Sequence, residues 1–131
     1  MDAAAVETWF GEYLEVFAAC GRGESETSTL LAYYGVPLTF TTDEGVFHLT
    51  AEEQVVAAVQ QQVDGLRATN YDNTEILSSD ITVLNANSAL FRGEFSRRQH
   101  GGEEIDRLAV TYLITTGPGG QRMSAIAVHG A

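Results

Sequence analysis

At 131 residues, 44% hydrophobic and 19% charged, the chain has the length and apolar content for one folded core and falls short of two. Acidic residues outnumber basic ones by 18 to 7, giving a formal net charge of −11 and a pI near 4.4. Such a surface repels phosphate backbones and anionic lipid, which excludes nucleic acid and membranes as partners. All the basic residues are arginines, and without lysine there is no Schiff-base chemistry and no P-loop.

The opening segment MDAAAVETWF lacks a basic leader region and a continuous apolar run, so a cytoplasmic chain is expected. From Ala3 to Ala19, Val6, Phe10, Tyr13 and Phe17 recur at steps of three and four, with Cys20 continuing the pattern. That spacing predicts an amphipathic helix, its stripe widened by Trp9 and Val16. Cys20 is the only cysteine and reads as core packing. A second helix is predicted from Glu26 to Tyr34, with Gly35 at its C-terminal cap and Pro37 preventing continuation.

Alternation over Leu38–Thr41 and Val46–Leu49, separated by Thr42-Asp43-Glu44-Gly45, predicts a hairpin. Thr50 followed by Glu53 forms a capping box for a third helix, whose apolar face holds Val55, Val56, Val59, Val63 and Leu66. After Arg67 the pattern becomes extended: strands at Thr74–Leu84, Ala89–Arg98, Glu103–Thr115 and Gln121–His129 form an antiparallel meander. A turn at His100-Gly101 would set Arg98, Arg97 and Glu94 opposite Glu103, Glu104 and Arg107. A turn at Gly101-Gly102 suits glycine better and has the same parity. In both registers Phe91, Gly93 and Phe95 share the concave face with Leu108, Val110 and Tyr112. Arg92, Glu94, Ser96, Arg107 and Thr111 take the other face, which solvent or a second subunit must cover.

The predicted fold class is α+β: N-terminal helices and a third helix packed on a curved, mainly antiparallel sheet that encloses a pocket. This order of elements, with YYGVPLTF, TAEEQVVAAV and GGQRMSAIAVH, resembles the nuclear transport factor 2-like superfamily over nearly the whole chain. Its SnoaL-like and ketosteroid isomerase-like branches are the nearest in kind. The resemblance implies a single domain over residues 1–131, a conical barrel-like (cystatin-like) fold, a hydrophobic pocket and a homodimer. It also implies that Tyr13 stands where the isomerases carry an oxyanion-hole tyrosine. Their base position falls on Thr42, beside Asp43, and their second acid falls near Val110; neither a threonine nor a valine can perform those roles.

The candidate pocket residues are Trp9, Tyr13, Phe40, Phe91, Phe95, Val110 and Tyr112, with Tyr13 and Tyr112 bordering one cavity. Tyr13, Asp43, His48, Asp106 and His129 are the residues that could carry catalysis. Each also has a structural explanation: Asp43 belongs to a turn, Asp106 can pair with Arg97, and His48 and His129 lie at strand ends. His100 belongs to a turn. Without HExxH, paired cysteines or a short His–carboxylate spacing, no metal and no cofactor is expected. Binding of a small hydrophobic ligand ranks first among the functions. An enzyme acting on a small hydrophobic substrate (isomerase, cyclase, dehydratase or hydrolase) and a dimeric scaffold module remain the alternatives.

Overall fold

The computed structural model describes residues 1–129. Helix α1 runs Ala3–Gly21 and buries the expected stripe of Val6, Phe10, Tyr13, Phe17 and Cys20. Asp2 caps its start, its carboxylate accepting from the Ala4 N–H at 3.1 Å. The helix stops where Gly23 takes φ = +78°, a conformation glycine adopts without steric penalty. Arg67, the last residue of the later helix α2 (Glu52–Arg67), donates from Nε and Nη2 to the Cys20 carbonyl at 3.0 and 2.8 Å. This clasp joins the two helix ends on a carbonyl that also accepts from the Gly23 N–H at 3.0 Å.

The second predicted helix is a 3-10 segment, Thr27–Ala32, and Tyr34 opens strand β1, Tyr34–Thr42. Gly35 therefore belongs to a strand. A Cβ there would meet the Met123 carbonyl oxygen at 2.8 Å, so close backbone approach, not helix capping, is what requires glycine. Strand β2, Gly45–Leu49, pairs with β1 as expected. Helix α2 is capped differently from the predicted Thr50/Glu53 box. Ala51 is the N-cap residue, and the Gln54 side chain accepts from the N–H groups of Thr50 and Ala51 at 2.7 and 3.1 Å. Starting the helix one residue later moves the reciprocal role from Glu53 to Gln54.

The meander follows as β3 (Tyr71–Asn85), β4 (Ser88–Gln99), β5 (Glu104–Gly117) and β6 (Gly120–His129). The six strands lie in the order β2-β1-β6-β5-β4-β3, and every neighbouring pair is antiparallel except β1 with β6. The charge-paired register between β4 and β5 is not adopted. Phe91 faces Tyr112, Gly93 faces Val110 and Arg97 faces Asp106, with an irregularity before Arg98 meets Glu104. The alternative Gly101-Gly102 turn has the register observed along most of the pair, and Gly102 has φ = +88°. Because both registers share parity, the concave and convex faces are as expected. Further shifts at Ile76/Ser78 and Leu113/Ile114 bend the sheet, which curves without closing.

The core centres on Phe10, which stacks on Phe91 at 3.8 Å between ring centroids and meets Tyr112 edge-on at 5.0 Å. Each buried phenylalanine contributes roughly 1.5–3 kcal/mol through the water it leaves. Helix α1 covers the β3–β4 end of the concave face, while α2 lies against the 3-10 segment, β1 and β2. No helix among the described residues is long and apolar enough to cross a membrane.

Candidate functional site

Between α2 and the β1–β2 side of the sheet lies a cavity of about 500 Å³. Strand alternation delivers its walls: Leu38, Phe40 and Thr42 come from β1, Phe47 and Leu49 from β2, and Ile126 and Val128 from β6. Val110 and Tyr112 of β5 close the back, α2 contributes Val59 and the amides Gln61 and Gln62, and Tyr13 reaches in from α1. A side recess of about 40 Å³ shares Tyr13, Gln62, Arg97, Leu108, Val110 and Tyr112 with the cavity and adds Leu14, Phe17, Thr74 and Phe95.

Tyr13 and Tyr34 are both buried, and their hydroxyls are hydrogen-bonded at 2.5 Å. Burial raises the Tyr13 pKa well above the ordinary phenol value, and the neighbouring Tyr34 adds to the shift. Tyr34 is raised by the same loss of solvent. Tyr112 is pushed well up too, first by burial and then by Tyr13. All three phenols remain protonated at neutral pH and can donate hydrogen bonds. Tyr112 is 7% exposed and lines the cavity.

Arg97 lies on the concave face. Its Nε and Nη2 donate to the two carboxylate oxygens of Asp106 at 2.7 and 2.5 Å. The arginine side chain is 17% exposed and that of the aspartate 42%. Two features steer the pair: direct apposition across β4 and β5, and the fork geometry of a guanidinium meeting a carboxylate.

Of the residues singled out from the sequence, Tyr13, Phe40, Val110 and Tyr112 line the cavity and Phe95 lines the recess. Phe91 lies beneath Phe10, and Trp9 packs against Tyr33 at 5.5 Å, both away from the cavity wall. Asp106 is held by Arg97. His48 points to the convex face, since its strand neighbours Phe47 and Leu49 face the cavity; its Nδ1 is 3.4 Å from the Thr39 hydroxyl. Asp43 and His129 border a cleft at the cavity mouth with Thr42, Leu108 and Val128, and His129 Nε2 lies 3.1 Å from the Thr111 hydroxyl. His100 sits in its turn, its Nδ1 3.2 Å from Asp72. No group of three or more metal-ligating side chains occurs among the described residues.

Tyr34, Arg97, Phe47, Ile126 and the α2 amides Gln61 and Gln62 are among the wall residues that sequence reasoning missed. Alternation through Phe40 and Phe47 was available as a signal for Phe47. Tyr34 was absorbed into a helix, and nothing local marks Arg97.

Two helices and a 3-10 segment on a curved, open sheet, with a cavity beneath the second helix, define a protein of the cystatin-like, nuclear transport factor 2-like class. The chain belongs to the family described as NTF2-like protein (DUF6841), whose model matches residues 2–131. No curated protein matches it in sequence. Among solved structures it is similar to a domain of unknown function with a cystatin-like fold from Nostoc punctiforme, at 19% identity and a TM-score of 0.72, covering 99% of this chain and 77% of that one. It is also similar to a putative calcium/calmodulin dependent protein kinase II association domain from Xanthomonas campestris, at 13% identity and a TM-score of 0.72, covering 100% and 89%. An NTF2-like protein with a cystatin-like fold from Novosphingobium aromaticivorans gives 12% identity and a TM-score of 0.68, covering 94% and 77%. At these identities the likeness is one of fold.

Proposed function

We propose that this protein binds a small apolar or aromatic ligand in the cavity between α2 and the concave sheet. The observation that carries this reading is the cavity itself: about 500 Å³, with predominantly aliphatic and aromatic walls and a few polar groups among them. Ligand sites commonly fall within roughly 300–1,000 Å³ and have this composition. Binding is favoured over catalysis because the acids and bases do not converge: Asp106 is tied to Arg97, His48 faces outward, and Asp43 and His129 stand at the mouth.

The active unit in this proposal is a cytoplasmic homodimer. The buried, unpaired Cys20 suits a reducing compartment. On the convex face, Thr39, Thr41, Ala125, Ala127, Thr111 and Leu113 form a strip of uncharged, half-buried residues across β1, β6 and β5, which supports pairing with a second copy there. A thermal-shift screen of small aromatic and aliphatic compounds, followed by a crystal structure with the best hit, tests the binding reading. The ligand is expected against Tyr112 and Ile126; a ligand seated elsewhere, or no hit from the screen, overturns it.

A further inference from the structure

The recess at the inner end of the cavity is small and unusually rich in donors. Its volume of about 40 Å³ suits a single water or one carbonyl oxygen. Arg97 and Tyr112 both line it. Asp106 occupies Nε and Nη2 of Arg97, which leaves Nη1 without a partner among the described residues. The Tyr112 hydroxyl, on a side chain more than nine-tenths buried, borders the recess beside the Tyr13 hydroxyl, with which it shares a hydrogen bond. A guanidinium has donors and no acceptor, a phenol supplies a further donor, and the Gln62 amide can turn its NH₂ inward. Arg97 Nη1 can only donate, and the Gln62 amide, the Thr74 hydroxyl and the phenols can adapt to it, so the recess favours a group that accepts hydrogen bonds.

We propose that the recess is the polar end of the ligand site and takes the oxygen of an uncharged carbonyl compound, so that the ligand is a neutral apolar ketone, ester or amide. This rests on the ligand-binding reading above. The choice of a neutral acceptor follows from charge. Asp106 already neutralises Arg97, so a ligand carboxylate would leave one uncompensated negative charge in a poorly solvated site, within a chain of net charge −11. A carbonyl oxygen accepts from Arg97 Nη1 or Tyr112 and displaces at most one water, while its apolar body fills the main cavity.

Calorimetric titration of the full chain with three probes of one shape tests this: acetylnaphthalene, ethylnaphthalene and naphthoate, all substituted at the same ring position. The ketone is expected to bind roughly tenfold more tightly than the hydrocarbon, as one or two net hydrogen bonds allow, and more tightly than the carboxylate. Tyr112→Phe and Arg97→Gln are each expected to reduce ketone affinity toward the hydrocarbon level while leaving hydrocarbon affinity within about twofold. Tyr112→Phe removes one hydroxyl and keeps the ring in place, so it keeps the test decisive should Arg97→Gln fold poorly. Equal affinity for ketone and hydrocarbon, tightest binding of naphthoate, or ketone binding indifferent to Tyr112→Phe overturns the carbonyl assignment and leaves ligand binding standing. Failure of all three probes to bind overturns the ligand-binding reading and this assignment with it.

Discussion

The phenol oxygens of Tyr13 and Tyr34 lie 2.5 Å apart, joining the middle of α1 to the first residue of β1 at the cavity wall. Because each hydroxyl serves the other, removing one strands its partner beside the cavity. Tyr13→Phe and Tyr34→Phe are each expected to cost about 1 kcal/mol in urea unfolding, and the double variant about as much as either single one. Costs that simply add would show that the two hydroxyls do not depend on each other.

Alkaline pH should unfold the protein steeply. Burial raises the pKa values of Tyr13, Tyr34 and Tyr112 above their unfolded values. Above a pH of about 10 the unfolded chain loses phenol protons that the native state retains. The unfolded state then binds fewer protons, and stability that is complete below that pH falls as pH rises. Each such tyrosine contributes up to about 1.4 kcal/mol per pH unit. Phenolate absorbance from these residues should emerge together with loss of native circular dichroism. Ionisation of Tyr13, Tyr34 or Tyr112 while native dichroism persists would contradict this.

Substitution of glycine by alanine should have opposite effects at different sites. A Cβ at Gly93 would sit 2.5 Å from the Phe95 ring and 3.2 Å from Phe91, both pinned in the core around Phe10. Gly93→Ala is expected to destabilise by about 1–3 kcal/mol, the usual cost of overpacking. Gly11 and Gly65 lie in helices with nothing within 4 Å of the added carbon. Gly11→Ala and Gly65→Ala should each stabilise by roughly 0.5–1 kcal/mol through helix propensity. Thermal unfolding of the three variants decides, and a stabilised Gly93→Ala would refute the packing account.

The convex strip should govern self-association. Ala127 sits between Thr41 and Thr111 across three strands, so Ala127→Arg places a charge at the centre of the proposed interface without entering the core. Sedimentation equilibrium should show a dimer for the wild type and a 14.1 kDa species for the variant. A wild-type chain that remains at the monomer mass at micromolar concentration removes the dimer.

Local chemistry made much of the fold legible. The stripe from Val6 to Cys20 and the face from Val55 to Leu66 are set by helical periodicity, and strand alternation assigned Phe91, Phe95, Val110 and Tyr112 to one face whichever register was chosen. Where local rules misled, a nonlocal contact prevailed. Tyr34 continues a helical pattern in the sequence, yet it pairs with Met123 of β6 and so begins a strand. The opposed charges of Glu94 and Arg107 favoured one β4–β5 register. Surface pairs of that kind contribute less than about 1 kcal/mol, and the core packing of Phe91 and Phe95 outweighs them.

The candidate site divides along the same line. The sequence by itself determined that Tyr13 and Tyr112 face inward, because face follows from a short-range period. Tertiary structure decided that Arg97 borders the same recess as Tyr112 while Asp106 holds its Nε and Nη2. That outcome depends on a register irregularity between Arg97 and Arg98 and on strand curvature, sums of many weak contacts distant in sequence. No spacing rule within one segment encodes them.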